Sequence, residues 1–360
     1  MSADPDEPSG PYEPPYCTGE LPGTGGAIGS EPEDFRVDEL PAYAPSGSGE
    51  HRYVLVEKRL MTTPELVKLI ARAADVDARE IGYAGLKDKH AVTTQWLSLP
   101  NKSRATSEWA LPEGVRVLES SLHANKLRTG HLTGNRFEIT LTGVGPHAFE
   151  NARAIGARIE RSGLPNYFGA QRFGRDNLLE ALSFLREGGR RRLNGFLLKL
   201  YPSVVQSEVF NRYLALRSGD GLDRLLAGEI VRLEGSGATF LVEDLARETP
   251  RFERREIHPT GPILGPKMRP ARGRPLELEA EAARLTGVDD AMLSTLARFA
   301  PGTRRDLRVY PQNLEISTVG GGDGAGPERL RLAFELPAGS YATVLVRELT
   351  RGLAPLRQAE

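Results

Sequence analysis

Apolar and polar side chains alternate in several segments of this chain, a pattern typical of β-strands with one buried face. In one such segment, Phe137, Ile139 and Leu141 alternate with charged or polar neighbours. Gly134 and Asn135 come directly before this segment and predict a turn at its start. Alternation, or a short apolar run, predicts strands at residues 53–58, 81–85, 92–99, 136–142, 308–316 and 330–336.

Helical spacing of apolar residues predicts helices between these strands. One helix should begin at Thr63 as the N-cap, with Pro64 at the first helical position. A second is predicted at 147–162, with Gly163 as the residue that ends it. A final helix should follow the last strand, with Ser340 as its N-cap.

Strand character falls away in the middle of the chain and returns near its end. We therefore predict a discontinuous domain at 25–163 and 307–355, with a second domain inserted at 164–306. Residues 1–24 are rich in Pro, Gly and acidic residues, which predicts a disordered N-terminal tail. The inserted segment alternates apolar helical stretches with basic loops at 190–192, 251–255 and 267–274.

Composition narrows the possible classes of protein. The 360 residues carry a formal net charge of −1, so positive charge is local to certain loops rather than global. Cys17 is the only cysteine, which excludes an intramolecular disulfide and a zinc site built on several thiolates. No apolar run approaches the ~18 residues of a membrane span, and the N-terminus does not look like a secretory signal. We expect a cytoplasmic protein with no membrane association.

One short stretch carries candidate chemistry. Asp88 lies between Lys87 and Lys89, on the connection between two predicted strands. Two adjacent cations favour an ionised carboxylate. Such a carboxylate suits attack on an electrophilic carbon beside a phosphate backbone. Taken alone, a Lys-Asp-Lys loop is more often a solvated surface turn, so the interpretation depends on the rest of the chain.

Four unusual segments occur in a fixed order along the chain. They are EPEDFRVDE at 31–39, AGLKDKHAVTTQW at 84–96, TGNRFEI at 133–139 with PNYFGAQRFG at 165–174, and LPAGSYATVLVREL at 336–349. Together they resemble the TruD family of tRNA pseudouridine synthases, over roughly residues 25 to 349. The resemblance implies an α/β (α+β) fold: a pseudouridine synthase catalytic domain around a mixed, largely antiparallel sheet, and an inserted, family-specific α/β domain.

The resemblance also implies a reaction. Enzymes of this family detach uracil from ribose at N1, turn it and rejoin it through C5, without a cofactor or metal. The implied partner is tRNA, with uridine 13 of the D-arm as the target, and we expect a monomer. The family's catalytic aspartate falls on Asp88. Attack on the anomeric carbon and assistance in forming a glycal intermediate both remain open roles for this carboxylate.

The family's substrate-contacting positions fall on four further residues. Phe35 corresponds to a stacking face, and Asn135 to an amide that holds the base or the Asp88 loop. Tyr341 takes an aromatic position in the final motif. Phe137 stands where other pseudouridine synthase families usually have Tyr. The aromatic residues could equally be plain core, and Asn135 could be only a turn residue.

The positive charges of the site are where this chain departs from the family pattern. Many relatives carry Lys or Arg six residues before the Phe of the first motif, where this chain has Gly29. Lys87 is then the nearest candidate for a cation at the substrate site. Clustered basic residues are candidates for RNA phosphate contacts, namely Lys89, Arg136, Arg172, Arg190 and Arg191.

Two other classes of function compete with this interpretation. An RNA-binding or RNA-chaperone protein could keep the same scaffold without turnover, and a synthase could act on a different RNA site. A nucleotide-binding loop at Gly-Leu-Lys-Asp-Lys is disfavoured, because the chain has no G-x-x-x-x-G-K-[ST] motif.

Overall fold

The computed structural model describes residues 10–320 and 329–352. These residues fold into two compact units. The first holds the described residues up to Gly19 together with Glu160–Tyr310, and the second holds Glu20–Ile159 and the described residues from Pro311 onward. The domains proposed at 25–163 with 307–355, and at 164–306, remain a prediction; of these, 321–328 and 353–355 lie outside the described residues.

The described strands, in chain order, are β1 Gly25–Ile28, β2 Phe35–Pro41, β3 His51–Arg59, β4 Gly82–Tyr83, β5 Val92–Pro100, β6 Val115–His123, β7 Leu132–Val144, β8 Leu164–Pro165, β9 Ile230–Leu233, β10 Thr239–Leu241, β11 Ile257–Ile263, β12 Thr303–Asp306, β13 Arg308–Val309, β14 Gln312–Val319 and β15 Arg329–Pro337. The described helices are α1 Thr63–Ala74, α2 Ala148–Ser162, α3 Asn177–Arg186, α4 Leu197–Gly219, α5 Leu245–Glu253, α6 Gly273–Leu285, α7 Asp290–Leu296 and α8 Ala342–Thr350. None of these helices is both long enough and apolar enough to cross a bilayer.

The second unit is built on one mixed sheet. Its strands follow the order β14-β15-β7-β2-β5-β3-β6, while β1 also pairs with β7 and β4 with β5. Only the β2–β5 pairing is parallel among the described strands of this sheet; the other pairings are antiparallel. The predicted mixed, largely antiparallel sheet in an α/β fold is therefore confirmed.

Strand β7 is an interior strand of this sheet, bonded to β15 on one side and to β2 on the other. Its alternation has the predicted physical cause, because Ile139 and Leu141 are fully buried while Arg136 is exposed. We predicted a turn at Gly134 and Asn135, before this strand. The structure shows instead that both residues belong to β7 and pair with β15. Periodicity missed them because a strand edge and a turn use the same residue types.

Three element boundaries also differ from prediction. The strand predicted at 308–316 is split around Pro311, since proline has no N–H to donate to a ladder. The N-cap of α1 is Thr62 rather than Thr63, because Thr62 Oγ1 accepts the Glu65 N–H. The final helix has Tyr341 at its N-cap instead of Ser340. Gly163 follows α2 with a φ of 80°, as expected for a helix-ending glycine.

The first unit has its own sheets, with strand order β10-β9-β11-β12 and a separate β13–β8 pair. Its core holds a fully buried ion pair, in which Arg217 Nε donates to Glu229 Oε1 at 2.7 Å. The other two guanidinium nitrogens, Nη1 and Nη2, donate to the carbonyls of Gly221 and Arg224. Each nitrogen of this buried charge therefore has a hydrogen-bond partner, as burial requires.

The N-terminal segment differs from the predicted disordered tail over residues 10–24. The Tyr12 N–H donates to the buried Glu208 carboxylate at 2.9 Å. Thr18 and Thr24 are buried, and the Thr24 N–H donates to the carbonyl of Leu349 at 2.8 Å. Composition did not anticipate these interactions because their partners lie far away along the chain. For residues 1–9, the prediction falls outside the described residues.

Gly134 permits the close approach of β7 and β15. A Cβ at this position would lie 2.3 Å from the backbone oxygen of Leu336, which cannot move without breaking the pairing. We expect Gly134→Ala to lower the unfolding free energy by about 1–3 kcal/mol, as overpacking does. Urea denaturation followed by circular dichroism measures this change.

Gly145→Ala is the matched control, because a Cβ there meets only the Thr24 oxygen at an ordinary 3.5 Å. Equal midpoints for the two variants would contradict the close approach at residue 134.

Candidate active site

The candidate site is built on one face of the sheet of the second unit. Registers across the strands place Phe35, Val37 and Glu39 of β2 on the same face as Asn135 and Phe137 of β7. On that face, β5 and β3 continue the row with Thr93, Gln95, Val56 and Lys58. Thr93, Gln95 and Lys58 are fully buried, so this apolar face contains a polar strip.

The Asp88 loop runs from β4 to β5 and lies over this strip. Asp88 itself is exposed, and its neighbour Lys87 is buried. The Lys87 N–H donates to Thr63 Oγ1 at 2.9 Å, and Thr63 Oγ1 donates to Gln95 Oε1 at 2.9 Å. The first residue of α1 therefore links the loop to the sheet, and the predicted strand-to-strand position of Asp88 is confirmed.

The ammonium group of Lys87 points into the protein rather than toward substrate. Its Nζ lies 2.7 Å from Glu39 Oε2, and the two side chains are 4% and 1% exposed. The other oxygen, Oε1, accepts the Trp96 N–H at 3.2 Å. We expected Lys87 to supply a cation to the substrate site, but its charge is neutralised by Glu39 inside the sheet. Charge order along the sequence did not reveal this, because Glu39 lies on another strand.

From the sequence we sought a cation beside Asp88 and did not consider Lys58. In the structure, Lys58 lies next to the Asp88 loop. Its side chain is fully buried, and Nζ donates to the Asp88 carbonyl at 2.8 Å and to the Met61 carbonyl. Burial is the main cause that lowers the pKa of Lys58 to about 8, with attraction to the Asp88 carboxylate opposing this shift and repulsion from Lys87 contributing to it. A lysine therefore lies directly behind the candidate nucleophile.

A signal for these buried charges was present in the alternation itself. Val54, Val56 and Lys58 alternate as inward-facing residues of β3, and Glu39 follows Val37 in the same way on β2. A charged residue at an inward position of a strand must be paired or hydrogen-bonded. It is therefore more informative than a charge at an outward position.

Three aromatic rings lie side by side on the sheet. Phe35 and Phe137 meet edge to face with centroids 6.3 Å apart, and Phe137 stacks on Phe334 at 5.4 Å. All three side chains are buried, so core packing accounts for these contacts. Stacking of Phe35 or Phe137 on a base stays a prediction.

Asn135 and Tyr341 have different environments. The Asn135 Oδ1 atom is buried and has no hydrogen-bond donor among residues 10–320 and 329–352. A buried amide oxygen without a donor costs free energy, so it marks a position where a ligand N–H would be favourable. Tyr341 is half-buried at the N-cap of α8, on the short connection that follows the strand carrying Phe334.

The structure separates the residues predicted to contact phosphate. Arg136 points to the opposite face of β7 from Asn135 and pairs with Glu335 at 2.7 Å. Lys89 lies close enough to Glu65 to lower the pKa of that carboxyl, after the larger effect of the Thr62 hydrogen bonds. The remaining three arginines belong to the first unit, so the second unit does not contain them: Arg172, Arg190 and Arg191.

The three arginines of the first unit differ in their exposure and in the protein groups that they contact. Arg191 pairs with Glu180 at 3.0 Å and lies over the Tyr201 ring. Arg172 donates to Ser207 Oγ at 3.3 Å and lies over the ring of Phe168. Arg190 is exposed on the connection between α3 and α4. In the part of the chain that is described, no group of three or more His, Cys, Asp or Glu side chains could hold a metal ion.

Comparison with known proteins identifies the family of this chain. The family model described as tRNA pseudouridine synthase D (TruD) matches residues 13–182 and 186–349. The chain therefore belongs to the tRNA pseudouridine synthase D family, and the resemblance found in the sequence is confirmed.

Individual relatives cover nearly all of the chain. It is 46% identical to tRNA pseudouridine synthase D of Anaeromyxobacter dehalogenans, over 95% of this chain and 97% of that protein. It is 41% identical to tRNA pseudouridine synthase D of Thermus thermophilus, over 94% of this chain and 92% of that protein. A crystal structure of the putative tRNA pseudouridine synthase D from Methanosarcina mazei matches with a TM-score of 0.73, at 23% identity, over 94% of this chain and 96% of that one. This last likeness shows the fold.

The Glu39–Lys87 ion pair predicts a large effect on stability. We expect Glu39→Gln to lower the unfolding free energy by about 3–5 kcal/mol, because it leaves the buried ammonium without a counter-charge. Glu335→Gln is the control, since it removes the partner of the half-exposed Arg136, a pair worth about 0–1 kcal/mol.

Chemical denaturation of both variants measures the difference. Equal destabilisation by the two substitutions would contradict the burial of the Glu39–Lys87 pair. Restoration of stability in Glu39→Gln/Lys87→Met would support it.

Proposed function

We propose that this protein is an RNA-modifying isomerase that converts uridine to pseudouridine in tRNA. The carrying observation is the exposed Asp88 carboxylate, held on a loop whose backbone is bonded to buried groups of the sheet. Membership of the tRNA pseudouridine synthase D family supports the choice of reaction and of tRNA as substrate. The position proposed within tRNA is uridine 13 of the D-arm, as the resemblance implies.

The reaction is an isomerisation, so no atom is gained or lost. The bond between N1 and the ribose C1′ breaks, a bond between C5 and C1′ forms, the C5 proton is released and N1 gains a proton. Asp88 acts as an ionised carboxylate, either adding to C1′ or taking a C2′ proton on the way to a glycal. Both roles require that the target nucleotide leaves its stack, so that its ribose reaches an exposed loop.

The surroundings of Asp88 suit this task. Two hydrogen bonds hold the loop backbone: the Lys87 N–H donates to Thr63, and the Asp88 carbonyl accepts from Lys58. The carboxylate is therefore positioned before substrate arrives. The unsatisfied amide oxygen of Asn135 could accept a hydrogen bond from the uracil N3–H. Phe35 lies on the same face of the sheet as Asn135, and we assign its ring as the stacking partner for the displaced base.

The proposed role of Asp88 is tested by Asp88→Asn. We expect the rate of pseudouridine formation to fall by about 10⁴-fold or more, as losses of a catalytic nucleophile do. Binding of tRNA should change by less than about threefold, because a neutral amide removes charge repulsion without removing a phosphate contact. Carbodiimide treatment and primer extension on unmodified tRNA report both the rate and the modified position.

Asp75→Asn is the matched control, since it alters a carboxylate of the same unit at a left-handed residue that Asn tolerates. Full activity of Asp88→Asn would exclude Asp88 as the catalytic group. A signal at a position other than 13 would retain the chemistry and overturn the proposed target. Binding of tRNA without modification by the wild-type protein would favour an RNA-binding protein.

Affinity for tRNA should depend strongly on salt. We expect it to fall by on the order of tenfold or more between 50 and 200 mM monovalent salt, because bound arginines release counterions. The double variant Arg190→Ala/Arg192→Ala should reduce the slope of log Kd against log salt by about 1–2, since both side chains are exposed.

Arg284→Ala, which removes an arginine already paired with Glu281, should leave that slope unchanged. Filter binding over a salt series measures all three proteins. A flat salt dependence in the wild type would contradict the basic RNA surface.

A further inference from the structure

Lys58 is unusual for a buried lysine. In the described part of the chain it forms no ion-pair contact with a carboxylate, and its ammonium is bonded to two backbone carbonyls, those of Met61 and Asp88. These carbonyls belong to different connections, one leading from β3 to α1 and the other from β4 to β5. Leu60 adopts a φ of 53°, in the left-handed region that leucine rarely occupies, immediately before Met61. Both connections therefore converge on one side chain.

The charges around Lys58 come from two elements. The Asp88 carboxylate and the ammonium of Lys87 act on it from the loop, with opposite signs, and Glu65 acts from the first turn of α1. The residues beside it on β5 and β6, Thr93 and Val115, are uncharged. Glu39 already neutralises Lys87, whereas the Lys58 ammonium lies on the Asp88 carbonyl and brings a positive charge to the Asp88 turn from inside the protein.

This charge is unfavourable for folding. The pKa of Lys58 is about 8 in the folded protein and about 10.5 when exposed, so the folded state binds its proton less well than the unfolded state does. The penalty is fully present below pH 8 and disappears as the pH rises toward 10.5. An apolar residue at this inward position would avoid it. Groups that lower stability in this way are typical of functional sites.

We propose that Lys58 is the positioning residue of the active site: its ammonium fixes the Asp88 backbone and offsets the repulsion between the Asp88 carboxylate and the RNA backbone while the target ribose is brought to it. The proposal rests on the proposed function of Asp88 and adds a second group to it. It assigns to Lys58 the role that the sequence suggested for Lys87. The neutral amine formed at high pH still donates hydrogen bonds but no longer provides the charge, so activity should fall as Lys58 loses its proton.

The test compares Lys58→Met and Lys58→Arg with the wild type. Single-turnover rates of pseudouridine formation are measured from pH 6 to 10 on unmodified tRNA, and tRNA affinity is measured separately. We expect Lys58→Met to lower the rate by about 100-fold or more, with less than a threefold change in Kd, because Lys58 touches Asp88 and not RNA. Lys126→Met is the control, as Lys126 also donates to a backbone carbonyl, that of Arg79, but at the surface.

The pH profile separates a charge role from a merely structural one. The wild type should lose activity above about pH 8, whereas Lys58→Arg should keep its activity to higher pH because a guanidinium stays protonated. An alkaline loss that is identical in the wild type and Lys58→Arg would assign it to the uracil N3–H and overturn the charge role. Full activity of Lys58→Met would overturn the whole proposal.

Two further measurements separate the role of Lys58 from misfolding of the variant and from a failure of the proposed function of Asp88. Thermal unfolding shows whether Lys58→Met is folded; if it is not, the Lys58→Arg profile decides the outcome. If the Asp88→Asn variant is as active as the wild type, the proposed function of Asp88 is overturned, whatever the Lys58 variants show. Loss of activity in Asp88→Asn combined with full activity in Lys58→Met would end only this inference.

Discussion

The burial of the Lys87 side chain is the constraint on which the candidate active site depends. An ammonium group inside a sheet must have a counter-charge, and the Glu39 carboxylate supplies it at 2.7 Å. Because that pair lies beneath the loop, the next residue along, Asp88, is directed outward. A buried ion pair adds little net stability, but it allows only one arrangement of the loop, which is what a catalytic group requires.

The parallel pairing of β2 with β5 is what makes this arrangement possible. It places Glu39 and Val37 beside Gln95 and Thr93, while antiparallel pairing with β7 brings Asn135 and Phe137 to the same face. These six residues all lie on strands, so the site is supported by strands rather than by loops. The candidate catalytic carboxylate, that of Asp88, lies on a loop above them. Rigid strands hold a binding face more accurately than loops can.

Two lysines at the site have opposite tasks. Lys87 is neutralised by Glu39 and anchors the loop, whereas Lys58 keeps its charge behind the turn, with no carboxylate in ion-pair contact among the described residues. Oriented charges in a water-poor setting stabilise an anion more effectively than mobile surface charges do. The exposed arginines of the first unit suit a different purpose, since solvated cations contribute mainly salt-dependent attraction to RNA.

The sequence by itself determined most strands of the second unit, though not β1, β2 and β6, together with the mixed sheet, the position of Asp88 between two strands and the family. These follow from local alternation, loop chemistry and motif order, all of which are present in consecutive residues. Only the tertiary structure decided which cation faces Asp88, because the partners of Lys87 and Lys58 come from other strands and loops. It likewise decided that Gly134 belongs to β7, that residues 10–24 are bound in place, and that Arg136 faces away from Asn135. In each case the deciding interaction joins residues that are distant in the chain, and burial assigns to a charge a partner that sequence order does not reveal.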